Sequence, residues 1–228
     1  MKLWALPCFI GILAIFSGNI VFLIAVKEGF LSPCIPYLEG CASISKSGRE
    51  GLAFILFKLT IIPLMTLLSV YWVISFNFFS KRYSLVSKKN RFMLFSGILG
   101  SLFGILYACF LGSVGETYQL LRRFGIYFFF MGTYCAQISE VLMLFDIKSL
   151  KNLALLRAMK YLVFIVGFVI LFSTPFYGFI EEDDWLENIL EWNITFLIFF
   201  YFILSSFLWK RIDIRFKATS NYLERGSP

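Results

Sequence analysis

Residues 157–215 read RAMKYLVFIVGFVILFSTPFYGFIEEDDWLENILEWNITFLIFFYFILSSFLWKRIDIR. Two apolar runs, Tyr161 to Ile180 and Ile189 to Trp209, flank an acidic cluster of Glu181, Glu182, Asp183, Asp184 and Glu187, and basic residues stand at both far ends. A bilayer crossing needs about 20 mostly apolar residues, so each run is long enough to be one. The pair reads as a helical hairpin in lipid, with its acidic turn on one side and its cationic ends on the other. Working outward, four more runs have the same character: Leu3 to Val26, Gly51 to Phe79, Phe92 to Val114 and Phe124 to Phe145. The expected fold is all-α, a six-helix transmembrane bundle forming one polytopic membrane domain over residues 1–228, with spans at about 3–26, 51–79, 92–114, 124–145, 161–180 and 189–209.

Composition excludes the alternatives. The chain is 59% hydrophobic and carries 29 phenylalanines in 228 residues, which does not suit a water-soluble core. Its connections are too short to hold an appended soluble enzyme. Lys and Arg stay on the cytoplasmic side of short loops. With the N-terminus inside, that side collects Lys2, Lys81, Arg82, Lys88, Lys89, Arg91, Lys148, Lys151, Arg157, Lys160, Lys210, Arg211, Arg215, Lys217 and Arg225, which is 15 of the 21 basic residues. The outer side receives Lys27, Lys46, Arg49, Arg122 and Arg123 against most of the acids, so both termini are expected to be cytoplasmic. The net charge of +7 is divided among loops beside spans rather than gathered on a soluble face, and no nucleic-acid partner is expected. The run from Met1 to Gly18 continues to Val26 without a cleavage site, so it reads as a span and not as a leader.

Within the spans, Ser96, Gly100, Gly104, Ala108 and Gly112 recur every four residues, a stripe that lets another helix approach closely in lipid. Pro63 and Pro175 each remove a backbone donor from a span, where they are expected to kink the helix. Ionisable groups in hydrocarbon are expensive and mark candidate sites. Lys58 and Glu191 fall at similar depth near the outer side, where they could pair, or Lys58 could snorkel outward. Glu140 lies deeper and shares a helix face with Gln137, a polar patch suited to a helix-to-helix hydrogen bond.

In the first outer loop, Cys34 and Cys41 lie on the oxidising side and could close a small disulfide ring. The chain contains no histidine, which removes the usual neutral-pH acid/base and the usual metal ligand, and no metal or other cofactor is expected. No glycine-rich phosphate loop, nucleophile elbow or metalloprotease helix is present, and the reading leans away from an enzyme. The sequon Asn193-Ile194-Thr195 sits at the start of a span, where glycosylation is not expected.

Three segments carry a resemblance. They are the loop Pro36-Tyr37 with Ile44-Ser45 and Gly48, the fourth span from Arg123 through Gly132 to Gln137, and the opening of the sixth at Glu191-Trp192. Together with the six-span layout, they resemble the family that unites damage-regulated autophagy modulators, yeast Sfk-type proteins and GPI-anchor remodelling factors. This chain departs from the family pattern at Arg122 and Arg123, where many relatives have histidine, and at Arg49-Glu50-Gly51, which replaces a proline-containing step.

The resemblance implies a non-catalytic multi-pass protein that regulates or organises membrane lipids, or a membrane-bound protein partner, as an autophagy modulator does. The alternative is a lipid-remodelling enzyme or translocator acting on headgroups at the outer face. Expected lipid- or partner-binding residues are Glu39, Ser45, Arg49, Lys58, Glu191 and Trp192, since polar groups beside the bundle can hold a headgroup and tryptophan favours the interface. A eukaryotic host would imply an endomembrane or plasma membrane, and a bacterial host the inner membrane.

Overall fold

The computed structural model describes residues 3–83, 87–147, 150–173 and 185–212, without the side chains of residues 82, 83, 172 and 173. Among these the regular elements are helices: α1 (Ala5–Lys27), α2 (Pro36–Glu39), α3 (Ile44–Ser47), α4 (Gly51–Tyr83), α5 (Lys88–Phe110), α6 (Glu116–Asp146), α7 (Ala154–Ser173) and α8 (Trp185–Arg211). Pro175, the acids at 181–184 and the bases Lys2, Lys148, Arg215, Lys217 and Arg225 lie outside the described residues. The six long helices are each long and apolar enough to cross a bilayer. The protein is therefore an all-α, integral multi-pass membrane protein.

Helix is the form these segments take because lipid offers no partner for a free N–H or C=O, and a helix satisfies both within itself. The same solvent explains why Phe16, Phe95, Phe164 and Leu171 remain exposed on the bundle surface. α4 shows how an end is made. Gly51 turns with φ of 59°, and the Glu28 carboxylate, just past the end of α1, accepts the Leu52 N–H at 3.0 Å. An acid at this position also complements the positive end of the helix dipole. The helix then runs unbroken through Pro63 to Tyr83, so this proline does not end it.

Around the bundle α5 packs between α4 and α6, α1 packs against α4 and α8, and α7 lies against α8 and α6. α6 and α8 have few close backbone approaches and meet through side chains, with the Phe129 ring 6.3 Å from that of Phe199. The tightest seam is α5 against α6, and it uses the small-residue stripe. A Cβ on Gly132 would fall 2.8 Å from Gly100 Cα and 2.8 Å from the Ser96 carbonyl oxygen, and one on Gly125 would fall 2.8 Å from Tyr107 Cβ. The fifth stripe position, Gly112, lies beyond α5 in a turn at φ of 80°.

The opposite end of the bundle from α2 and α3 is filled by aromatics. Tyr71 stacks on Trp209 at 4.9 Å and meets Phe202 edge-on at 5.1 Å, and all three are fully buried. Lys89 and Asp146 form an ion pair at 2.7 Å between α5 and α6, half-exposed and so a minor contributor to stability.

Gly132→Val forces a side chain into the backbone of α5, an overpacking that costs about 1–3 kcal/mol. Thermal unfolding of the purified protein in detergent should show this loss. Gly18→Ala, whose added Cβ meets only the Trp192 ring at 3.7 Å, should unfold like the parent.

Candidate functional site

Two buried polar assemblies divide the bundle. The deeper one centres on Glu140 of α6. Its Oε2 accepts from the Tyr71 hydroxyl at 2.7 Å and the Tyr201 hydroxyl at 2.8 Å, and its Oε1 accepts from Ser75 at 2.6 Å. Because Tyr71 gives its single proton to Glu140, the 2.8 Å contact between Tyr71 and Ser205 is donated by the serine. One carboxyl thus ties α4, α6 and α8 together. Glu140 lies ten positions beyond Phe130, the last cavity-lining residue on α6, and between them Gln137 Nε2 donates to the Ile198 carbonyl at 2.9 Å. With every group partnered, this assembly is a structural lock.

The second assembly lies at the α2–α3 end, where α8 holds the connecting loop by its carbonyls. Asn188 Nδ2 donates to Gly40 at 2.8 Å, Trp192 Nε1 to Ala42 at 2.8 Å, and Asn193 Nδ2 to Tyr37 at 2.9 Å. These donors stand at i, i+4 and i+5, one face of the helix. Cys34 and Cys41 are joined, closing a ring around α2. Gly40 caps α2 at φ of 61°, where a side chain would collide with the Trp185 carbonyl. Ser43 begins α3, its Oγ accepting the Lys46 N–H at 3.0 Å.

Tyr37, carried by this loop, is the cover. Its hydroxyl accepts from Asn19 Nδ2 at 2.8 Å, and its ring lies 5.1 Å from Trp192 and 6.4 Å from Phe196. Burial pushes its phenol above the usual tyrosine range, partly offset by the Asn19 bond, so the ring stays neutral at physiological pH. Under it is a cavity of about 60 Å³, walled largely by apolar groups from α1, α4, α5, α6 and α8 and by the polar residues Tyr107, Glu191 and Thr195. The Tyr107 hydroxyl and Thr195 Oγ1 are buried without a hydrogen-bond partner. Tyr107 is 6% exposed, and Glu191, Arg49 and Arg122 lie close enough to act on its hydroxyl electrostatically. Ser45 lies alongside it but outside hydrogen-bonding geometry. The Glu191 carboxyl meets the backbone amides of Ile44 and Ser45.

Most expected residues converge here. Glu191 and Trp192 border the cavity. Ser45 contacts Ser43 Oγ at 3.0 Å and accepts from Arg49 Nη2 at 3.2 Å. Glu39 and Arg49 line a neighbouring recess at the surface. Lys58 does not join them and makes no pair with Glu191. Its Nζ donates to the Cys109 carbonyl at 3.1 Å and lies 4.1 Å over the Phe54 ring, so it caps the end of α5. Gln137 and Glu140 belong to the deeper lock. Asn193 is occupied by Tyr37 and Ile189 carbonyls. Among the described residues no group of three His, Cys, Asp or Glu is placed to hold a metal.

Sequence reading missed Tyr107 as a site residue, and missed Tyr71, Ser75 and Tyr201 as the partners of Glu140. A polar residue in the middle of an apolar run was the available signal, but its partners lie 61 to 69 positions away.

Glu140→Ala strands three buried hydroxyls, each costing about 1–3 kcal/mol. Size-exclusion chromatography should show aggregated or absent protein. Glu140→Gln keeps an acceptor and should retain a folded, less heat-stable bundle. No protein-family model, curated protein or solved structure matches the chain, so the geometry of this site carries the functional reading.

Proposed function

We propose that this is a non-catalytic membrane protein that organises or regulates membrane lipids by holding a lipid at the α2–α3 end of the bundle. In this reading that end faces away from the cytoplasm, as the loop charges suggest, and both termini are cytoplasmic. One observation carries it. Two buried hydroxyls, of Tyr107 and Thr195, stand without partners in the wall of an apolar cavity, while the carboxyl and hydroxyls of the deeper cluster are all satisfied. Trp72 Nε1, Trp209 Nε1 and Thr133 Oγ1 are also unpartnered but lie outside the cavity lining. Buried polar groups in folded proteins have partners. A ligand with an apolar segment and a polar end supplies them here; the cavity of about 60 Å³ takes only the tip of such a segment, among Phe57, Ile61, Phe129 and Phe199, with the polar end beside Tyr107, Thr195 and Glu191.

A lipid-regulating role is also what the resemblance to autophagy modulators and their relatives implies. Translocation across the membrane is less favoured, because the Gln137–Ile198 bond and the Glu140 lock close the bundle below the cavity.

Gly18 lines the cavity, and an added Cβ meets only the Trp192 ring within 4 Å, so Gly18→Phe directs a ring into the cavity. Binding of a fluorescent phospholipid to the purified protein should weaken roughly tenfold or more, about 1.4 kcal/mol. Tyr107→Phe should weaken it less, by the worth of one neutral hydrogen bond, about 0.5–1.5 kcal/mol. Unchanged binding by a folded Gly18→Phe variant would remove the cavity from the account. Tags at the two termini should both be reached from the cytoplasmic side only.

A further inference from the structure

Across α3 from the cavity, a second recess opens at the same end of the bundle. Glu39, Ser43, Lys46, Arg49 and Asn188 line it, with a volume of about 510 Å³. α3 is the partition between the two, with Ile44 on the apolar side and Ser43 and Lys46 on the polar side. On α8 the recess-lining Asn188 stands about one helical turn from the cavity-lining Trp192, so with the cavity in hydrocarbon the recess lies toward the headgroups.

Its charges are not spent on one another. Arg49 uses one Nη2 contact on Ser45, Glu39 Oε1 accepts the Ile35 N–H at 2.8 Å, and Asn188 is committed to the Gly40 carbonyl. Among the described residues the ion pair is Lys89 with Asp146, so Lys46, Arg49 and Glu39 share a recess with no ion pair between them. Both cations are exposed, and among the described residues neither forms an ion pair. Guanidinium and ammonium groups converging on one concave surface fit phosphate oxygens. The facing Glu39 carboxylate repels a second negative charge, which favours a singly charged phosphodiester over a dianionic monoester or free phosphate.

We propose that this recess is the phosphodiester subsite for the phospholipid whose chain enters the adjoining cavity, with Lys46 and Arg49 on the phosphate. The proposal rests on the lipid-holding reading, and the test separates them. Purified full-length protein is titrated with a fluorescent phosphatidylcholine, and unlabelled phosphatidylcholine, diacylglycerol of identical chains and inorganic phosphate are used as competitors. The expected result is that phosphatidylcholine competes roughly tenfold better than diacylglycerol, the worth of one charge-assisted hydrogen bond. Lys46→Gln with Arg49→Gln should erase that preference, the two lipids then competing alike, and inorganic phosphate should not compete.

Equal competition by the two lipids, or a preference that survives in the double variant, overturns the subsite and leaves the cavity standing. Competition by inorganic phosphate makes the recess a free-anion site and also overturns it. Failure of every lipid to bind removes the lipid-holding reading itself. Should the double variant not fold, Lys46→Glu reverses one exposed charge at the same place and must lower phosphatidylcholine binding without lowering that of diacylglycerol.

Discussion

Lipid cannot hydrogen-bond, and the arrangement of this bundle follows from that constraint. A polar atom that enters hydrocarbon must find its partner inside the protein, or remain unpaired at a cost of several kcal/mol. Backbone groups meet the requirement by forming helices. Side chains meet it by crossing between helices, which is why Glu140 draws donors from α4 and α8 and why Gln137 reaches a carbonyl of α8. Apolar side chains gain little by leaving lipid for the bundle interior, so close packing and these polar contacts decide which helices meet.

α8 joins the two halves of the structure. At one end its Tyr201 and Ser205 belong to the Glu140 cluster, and at the other Asn188, Trp192 and Asn193 hold the loop by three carbonyls. The cavity wall includes the stretch of α8 between these attachments. A movement of α8 relative to α6 would therefore change the cavity and the loop together. The Glu140 and Gln137 bonds from α6 hold α8 on the side of the cavity away from the loop.

The α5–α6 seam has the opposite character. Gly100 and Gly132 bring two backbones to a separation that no side chain would allow, and Tyr107 sits where Gly125 leaves space for it. That glycine lets the α5 backbone at Tyr107 lie against α6, and Tyr107 lines the cavity. The small-residue stripe thus serves packing first, and the cavity through Gly104, which lines it.

Local chemistry settled much of this in advance. Six spans were legible because 20 or so apolar residues in a row have no other stable environment, and the α5 stripe was legible because helical periodicity puts every fourth residue on one face. Span ends were less legible. α6 begins at Glu116 rather than near Phe124, α7 at Ala154 rather than Tyr161, and α8 at Trp185 rather than Ile189, since helices continue past the hydrocarbon into polar residues that hydropathy does not count. Glu39, Ser45, Arg49, Glu191 and Trp192 stood out as polar or interfacial residues near one end, while Lys58, which stood out for the same reason, caps α5 instead. What only the tertiary structure decided is which polar groups are satisfied. Glu140 finds three hydroxyls and Tyr107 finds none, and that difference depends on distances between residues far apart in the chain, which no local pattern encodes.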